Sequence, residues 1–391
     1  MKHKKKILID AISLLSPHTG IARYTYEVSK ALQKSTKDFY NLYFDYGLHS
    51  NELISIHNYT TKSNILSSIK QIIISNHILK KFIRQTLQLI AKYTSPTYDL
   101  YWQPNFIPNP YIKAKKTITT VHDFSFYLQP NWHPKERIEY FNQYFWKQTT
   151  KSDHIITGSD FSKQEIIKYL KYPDKKISVI YHGINHDTYK LYPDFTLLKT
   201  RKRYKLHDKF ILCVGSLEPR KNLINLIKAY SKLPMEIKET YQLLLVGFRG
   251  WENKNIKDIL EQEKNHIRYI GYVSDKELAH IYNMASLFVY PSLYEGFGLP
   301  PLEAMACGCA VIASDTSSIP EICQDNALYI DPLSITDILD KLIYALTNPH
   351  IVKRLKTKGL KHAKKFSWDK SAQEHLKIFD KVIDNENRYS T

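Results

Sequence analysis

Short apolar runs alternate with amphipathic stretches along nearly the whole chain. Ile7–Asp10, Asp99–Gln103, Lys116–Val121, the HIIT of residues 154–157, Ile177–His182 and Phe210–Gly215 are each too short for a buried helix. So are Gln242–Val246, Ile267–Ile270, Leu287–Tyr290 and Ala310–Ala313, and all of these predict strands. Between them apolar residues recur at helical spacing, as at Ile21, Tyr24, Val28 and Leu32, or across the aromatic-rich stretch from Pro134 to Lys151. Strands alternating with helices predict an α/β protein of parallel sheets built from βαβ units. Asp160 reads as the N-cap of the helix that follows HIIT. Asn105–Pro108 reads as a loop over a cleft, and the charged stretch Tyr192–Lys209, where apolar periodicity fades, as a linker.

The stretch from Tyr290 to Cys309, YPSLYEGFGLPPLEAMACGC, carries the densest chemistry. A strand bends at Pro291 into a loop with Gly296 and Gly298, and Pro300-Pro301 predicts the start of a helix. The glycines let backbone approach a ligand closely, and free N–H groups at a helix start suit phosphate or sugar oxygens. Glu295 falls in the loop and Glu303 in the predicted first helical turn. A carboxylate there accepts paired hydrogen bonds from vicinal hydroxyls. It also simply stabilises a helix start, so either acid alone is ambiguous.

Composition narrows the class. The 391 residues are 43% apolar and 24% charged, enough for two separate cores. No apolar run reaches the ~18 residues that span a bilayer. The start, MKHKKKILID, reads as a first strand and not as a signal peptide. Cys213, Cys307, Cys309 and Cys323 lack Cys-x-x-Cys spacing and read as reduced core thiols of a cytoplasmic protein. The net charge of +18, with +12 of it in residues 1–195, implies an anionic partner. Residues 62–92 hold Lys62, Lys70, Lys80, Lys81, Arg84 and Lys92 without one acid, among regularly spaced isoleucines and leucines. Such a segment suits a surface lying on anionic lipid, and equally a core-facing helix with a solvated basic side.

Other candidates lie at strand ends. His122 ends the predicted strand Lys116–Val121, where α/β sheets place ligand contacts, although a structural histidine also fits. Arg220-Lys221 precede a helix predicted near Leu223 and suit a diphosphate, the one as a fork and the other as a point charge. Gly20 ends the first strand-to-helix loop. There is no G-x-G-x-x-G, no Walker loop and no Asp-x-Asp pattern for a divalent metal.

The Glu-x7-Glu of Glu295 and Glu303, with Gly20, His122 and Arg220-Lys221, resembles retaining glycosyltransferases of the GT-B fold, family 4, over nearly the whole chain. The Ile21-Ala22 and HDFSFYLQP details are most similar to bacterial mannosyltransferases of surface polysaccharide assembly. The resemblance implies two Rossmann-like parallel-sheet domains facing a cleft. Residues 1–195 would bind the acceptor and 196–366 the nucleotide-sugar, with a helix in 367–391 packing back on the first domain. It implies that Glu295 contacts the donor sugar, Glu303 the ribose, His122 the sugar, and Arg220 and Lys221 the leaving diphosphate. Gly20, Gly296, Phe297, Gly298 and Leu299 would line the donor, with Tyr272 and Val273 near the base. It further implies a hexosyltransferase with no cofactor and no metal, a saccharide or lipid-linked acceptor, and a place on the inner face of the membrane. GDP-mannose is the first choice of donor; a UDP-sugar transferase and a nucleotide-sugar epimerase on the same fold are alternatives. A basic nucleic-acid binder would leave Glu295 and Glu303 idle, so no nucleic-acid partner is expected.

Overall fold

The computed structural model describes residues 4–15, 20–36, 39–54, 96–248, 261 and 263–384. Two sheets organise them. The first holds β1 (Lys5–Asp10), β2 (Tyr40–Asp45), β3 (His49–Ser50), β4 (Tyr98–Gln103), β5 (Ala114–Thr120), β6 (His154–Thr157) and β7 (Ile177–Val179). Their order is β3-β2-β1-β4-β5-β6-β7, parallel except for β3 on the edge. The second holds β8 (Phe210–Val214), β9 (Gln242–Val246), β10 (Ile267–Tyr269), β11 (Leu287–Tyr290), β12 (Val311–Ser314) and β13 (Leu328–Ile330). It is wholly parallel in the order β10-β9-β8-β11-β12-β13. Each order reverses beside its first strand, and at such switch points the carboxyl ends of the strands open a crevice for ligands.

The helices that place the site are α1 (Gly20–Thr36), α2 (Lys135–Thr149), α3 (Asp160–Glu165), α4 (Asp194–Tyr204), α5 (Leu223–Ser231), α6 (Asp275–Met284), α7 (Leu299–Ala306), α8 (Ile319–Cys323) and α9 (Trp368–Asp384). The last crosses back and lies on α1. Trp368, Ala372, Phe379 and Val382 enter the core beneath β1 and β4, and burying a side chain such as Phe379 or Val382 contributes about 1.5–3 kcal/mol. Surface pairs such as Lys5–Asp384 add at most about 1 kcal/mol. Apolar contact therefore holds this helix in place.

Three local expectations change. The predicted linker is largely helical: α4 runs through it and packs on α6 through Arg203–Glu277 at 2.6 Å and Thr200–His280 at 2.7 Å. Only Leu197 and Thr200 of α4 are buried, too narrow a stripe to show as periodicity. The cap of α3 is Ser159, whose Oγ accepts from the Ser162 N–H at 3.1 Å; Asp160 is the first helical residue. The loop at 105–108 turns inward. Phe106 and Ile107 are buried with Phe124, Phe126 and Phe141, because Phe106 N–H donates to Thr120 O and Thr149 donates to Phe106 O.

All four cysteines are buried and free, and burial pushes the thiols of Cys213, Cys309 and Cys323 up to about 12. Among the described residues no helix is long and apolar enough to cross a membrane. The basic segment 62–92 lies outside the described residues.

Candidate active site

Glu295 sits in the loop after β11, buried to 7% exposure. Lys221 donates to its Oε1 at 2.6 Å, the Tyr290 hydroxyl donates to the same oxygen at 2.8 Å, and Arg220 donates to Oε2 at 2.5 Å. Arg220 and Lys221 come from a single helical turn after β8, Pro219–Lys221, and the Leu293 N–H to Arg220 O bond ties that turn to the Glu295 loop. Burial alone would raise the Glu295 carboxyl, but Arg220 and Lys221 overcome it and hold the pKa at about 2. Burial likewise opposes the Arg220 charge, yet Glu295 leaves it raised; Lys221, more penalised by burial, stays below its ordinary value. The three groups form a fixed cluster, with Glu218 a further acid 3.8 Å from Arg220.

His122 follows β5; its carbonyl oxygen abuts Gly296 of this loop, while its ring packs among Tyr24, Phe106 and His182. Its Nε2 lies 2.8 Å from the carbonyl oxygen of Pro104. A carbonyl only accepts, so Nε2 carries the proton. Burial lowers the ring's pKa, so the imidazole is neutral and Nδ1 is a bare acceptor. The two halves meet directly here. Ser159 donates to Gly296 O at 2.6 Å, Ser162 to the same oxygen at 3.3 Å, and the Tyr294 hydroxyl accepts from Phe124 N–H at 2.9 Å. A Cβ on Gly296 would lie 2.0 Å from His122 O, so this approach requires glycine.

Glu303 is also buried, at 3% exposure. It lies in the second turn of α7 and not the first, because the helix starts at Leu299 with Gly298 as N-cap. Pro300 and Pro301 then occupy N2 and N3 and carry no N–H. The helix start offers fewer free donors than its position in the loop suggests. Glu303 pairs instead with Arg23 of α1, which also reaches Asp275 at 2.5 Å and the Tyr189 hydroxyl at 3.2 Å. Burial raises the Glu303 carboxyl, and Arg23 partly offsets this.

The other candidates separate. Gly20 opens α1, one turn before Arg23, while residues 16–19 lie outside the described residues. Gly298 has φ +101° and faces Ile319. Phe297 is buried with its ring 4.5 Å from that of His182, and Leu299 packs between the two cores. Tyr272 is half-exposed and stacks on Phe248 at 4.5 Å. The Val273 side chain is buried in the core of the second half.

Sequence reasoning passed over Arg23, Tyr189, Asp275 and Tyr290. Arg23 left a signal: it adjoins buried Tyr24 and follows Gly20 by three residues, hence lies on one face with it. Asp275 and Tyr189 come from distant elements and left none.

Residues 18–188 match the family described as Glycosyltransferase Family 4, and residues 195–362 that described as Glycosyl transferases group 1. O-antigen chain mannosyltransferase B of Escherichia coli is 33% identical across 96% of this chain and 99% of its own. The chain belongs to glycosyltransferase family 4. This glycosyltransferase is also 32% identical to the serotype-specific mannosyltransferase WbdA of Escherichia coli, over 68% of the chain and 34% of that longer protein. The structure of WaaG, a glycosyltransferase involved in lipopolysaccharide biosynthesis, superposes with a TM-score of 0.69 at 13% identity, covering 96% of this chain and 99% of that one. Anabaena HepE with UDP and glucose gives 0.66 at 16%, covering 96% and 100%. These likenesses establish the GT-B fold.

Proposed function

We propose that this glycosyltransferase moves a mannosyl group from GDP-mannose to a saccharide acceptor, with retention of configuration, in surface polysaccharide assembly. The observation that carries this reading is the buried cluster of Arg220, Lys221 and Glu295. The acid fixes two cations at 2.5–2.6 Å, where both can face a leaving diphosphate. Preorganised charge of this kind is usually what lowers the barrier most when a charged group departs, and it needs no metal. The mannosyltransferase activity of the 33% identical relative supports mannose as the transferred sugar.

On this reading the donor lies along the second sheet, its diphosphate on Arg220 and Lys221 and its ribose at Glu303. The bond from the anomeric carbon to the phosphate oxygen breaks first, and the charge passes to the nucleoside diphosphate. The acceptor hydroxyl then attacks from the same face, and its proton goes to a phosphate oxygen of the leaving group. His122 Nδ1 accepts a hydrogen bond from a sugar hydroxyl and orients the ring. The acceptor is lipid-linked, and Lys62 through Lys92 hold the enzyme against anionic membrane lipid.

The test is transfer from a panel of GDP-mannose, UDP-glucose, UDP-galactose and ADP-glucose, with EDTA present, and NMR of the product anomer. Transfer from GDP-mannose with an α-linked product is expected. Transfer from a UDP-sugar only, or a β-linked product, overturns the donor or the stereochemistry respectively.

A further inference from the structure

Arg23 makes a branched polar contact between the two halves. It stands on α1 of the first half, and its guanidinium grips Glu303 through Nη1 and Asp275 through Nη2, both of the second half, with Tyr189 as a third partner. The Glu303 side chain is 5% exposed and Arg23 29%. Buried carboxylates require a partner, and Arg23 supplies it. The space left beside Glu303, between Arg23, Tyr189, Asp275 and Leu299, is a void of about 20 Å³. That is room for about one water and far too little for a pentose.

A ribose therefore cannot share Glu303 with Arg23 in this arrangement; one must leave. The two are chemically alike toward a carboxylate. Arg23 spends its Nη1 donor on Glu303 Oε1 and its Nη2 on Asp275, so the oxygen that a ribose hydroxyl would need is already taken by a donor. From this we infer that Arg23 is an internal stand-in for the ribose, a latch that bridges the two halves and competes with the nucleotide for Glu303. The inference rests on the reading of Glu303 as the ribose acceptor.

The consequence is linkage. The nucleotide binds only the fraction of molecules in which Arg23 has let go, so its apparent affinity is reduced by that fraction. Releasing Arg23 also removes one polar tie across the cleft, so nucleotide entry loosens the contact between the halves at this point. The freed guanidinium remains one turn from Gly20 at the start of α1.

Calorimetric titration of the full-length protein with GDP, UDP, ADP and CDP tests this, using the tightest of the four for the comparison. Arg23→Gln should bind it at least roughly five-fold more tightly, the low end of ordinary coupling between linked equilibria. Arg23→Lys, which keeps the charge and loses the fork, should fall between, and a melting curve for each variant checks the fold. In a Glu303→Ala background the gain from Arg23→Gln should vanish, because no acceptor remains to compete for. Unchanged or weaker binding by folded Arg23→Gln and Arg23→Lys overturns the latch. Arg23→Gln with Glu303→Ala binding as tightly as Arg23→Gln alone would instead remove the ribose role of Glu303, a separate failure.

Discussion

Lys221 Nζ lies 2.6 Å from Glu295 Oε1, and the two residues come from different strand-to-helix connections of the second sheet, after β8 and after β11. These strands are neighbours, so the topology alone brings the cation to the acid. The acid is the anchor: buried, with both oxygens taken, and held ionised down to about pH 2. Substituting either cation leaves a buried carboxylate short of a partner and a leaving group short of a charge. Arg220→Ala and Lys221→Ala should each lower turnover by roughly ten- to a thousand-fold. Nucleoside diphosphate release measured with EDTA present checks this, and loss of wild-type activity on chelation, restored by magnesium, would contradict the metal-free reading.

Gly296 is one contact point of the two halves. Gly296→Ala places a methyl 2.0 Å from the His122 carbonyl oxygen, and neither backbone can yield without breaking the Ser159 and Ser162 bonds to this loop. A cost of about 1–3 kcal/mol is expected from the overpacking. A lowered melting temperature with activity lost should result; an active variant of wild-type stability would mean that the halves do not meet in this way.

Much of this was legible beforehand because the rules involved are local. Strand periodicity, the glycines and Pro300-Pro301 mark the Glu295 loop in sequence, and the apolar runs give ten of the strands. Strands β2, β3 and β13 escaped because short, tyrosine-rich or isolated segments carry no period. The pairing of Arg23 with Glu303 escaped because 280 residues separate them. Residue type announces that a buried acid needs a cation, but only the folded chain says which one.

Glu165 gives a pH signature. It is buried and accepts from the Tyr294 hydroxyl across the cleft, and burial raises its carboxyl from 4.5 to about 7. Between these values the folded protein holds a proton that the unfolded chain releases, so this residue's contribution to stability falls as pH rises from about 4.5 to 7. Glu165→Gln mimics the protonated form. Its melting temperature should exceed the wild type's by about 2 °C or more at pH 8, with the gap closing near pH 5. An equal gap at both values would contradict the raised carboxyl.

The basic segment makes its own prediction. Full-length protein should sediment with vesicles containing anionic lipid at low salt, and reversing charge at Lys80, Lys81 and Arg84 should release it. Wild type remaining in the supernatant at low salt would rule out the membrane-facing reading.

On the proposed function, two glutamates divide the donor between them, Glu295 serving the reacting end and Glu303 the ribose. Contacts equal in ground and transition states affect KM, whereas those made only in the transition state affect kcat. The decisive measurement is steady-state kinetics with varied GDP-mannose for Glu295→Gln and Glu303→Ala, with calorimetry of GDP alongside. Glu295→Gln should lower kcat by roughly ten- to a thousand-fold, and Glu303→Ala should mainly raise donor KM. A Glu295→Gln enzyme that turns over at the wild-type kcat would contradict this division and take Glu295 out of the catalytic centre.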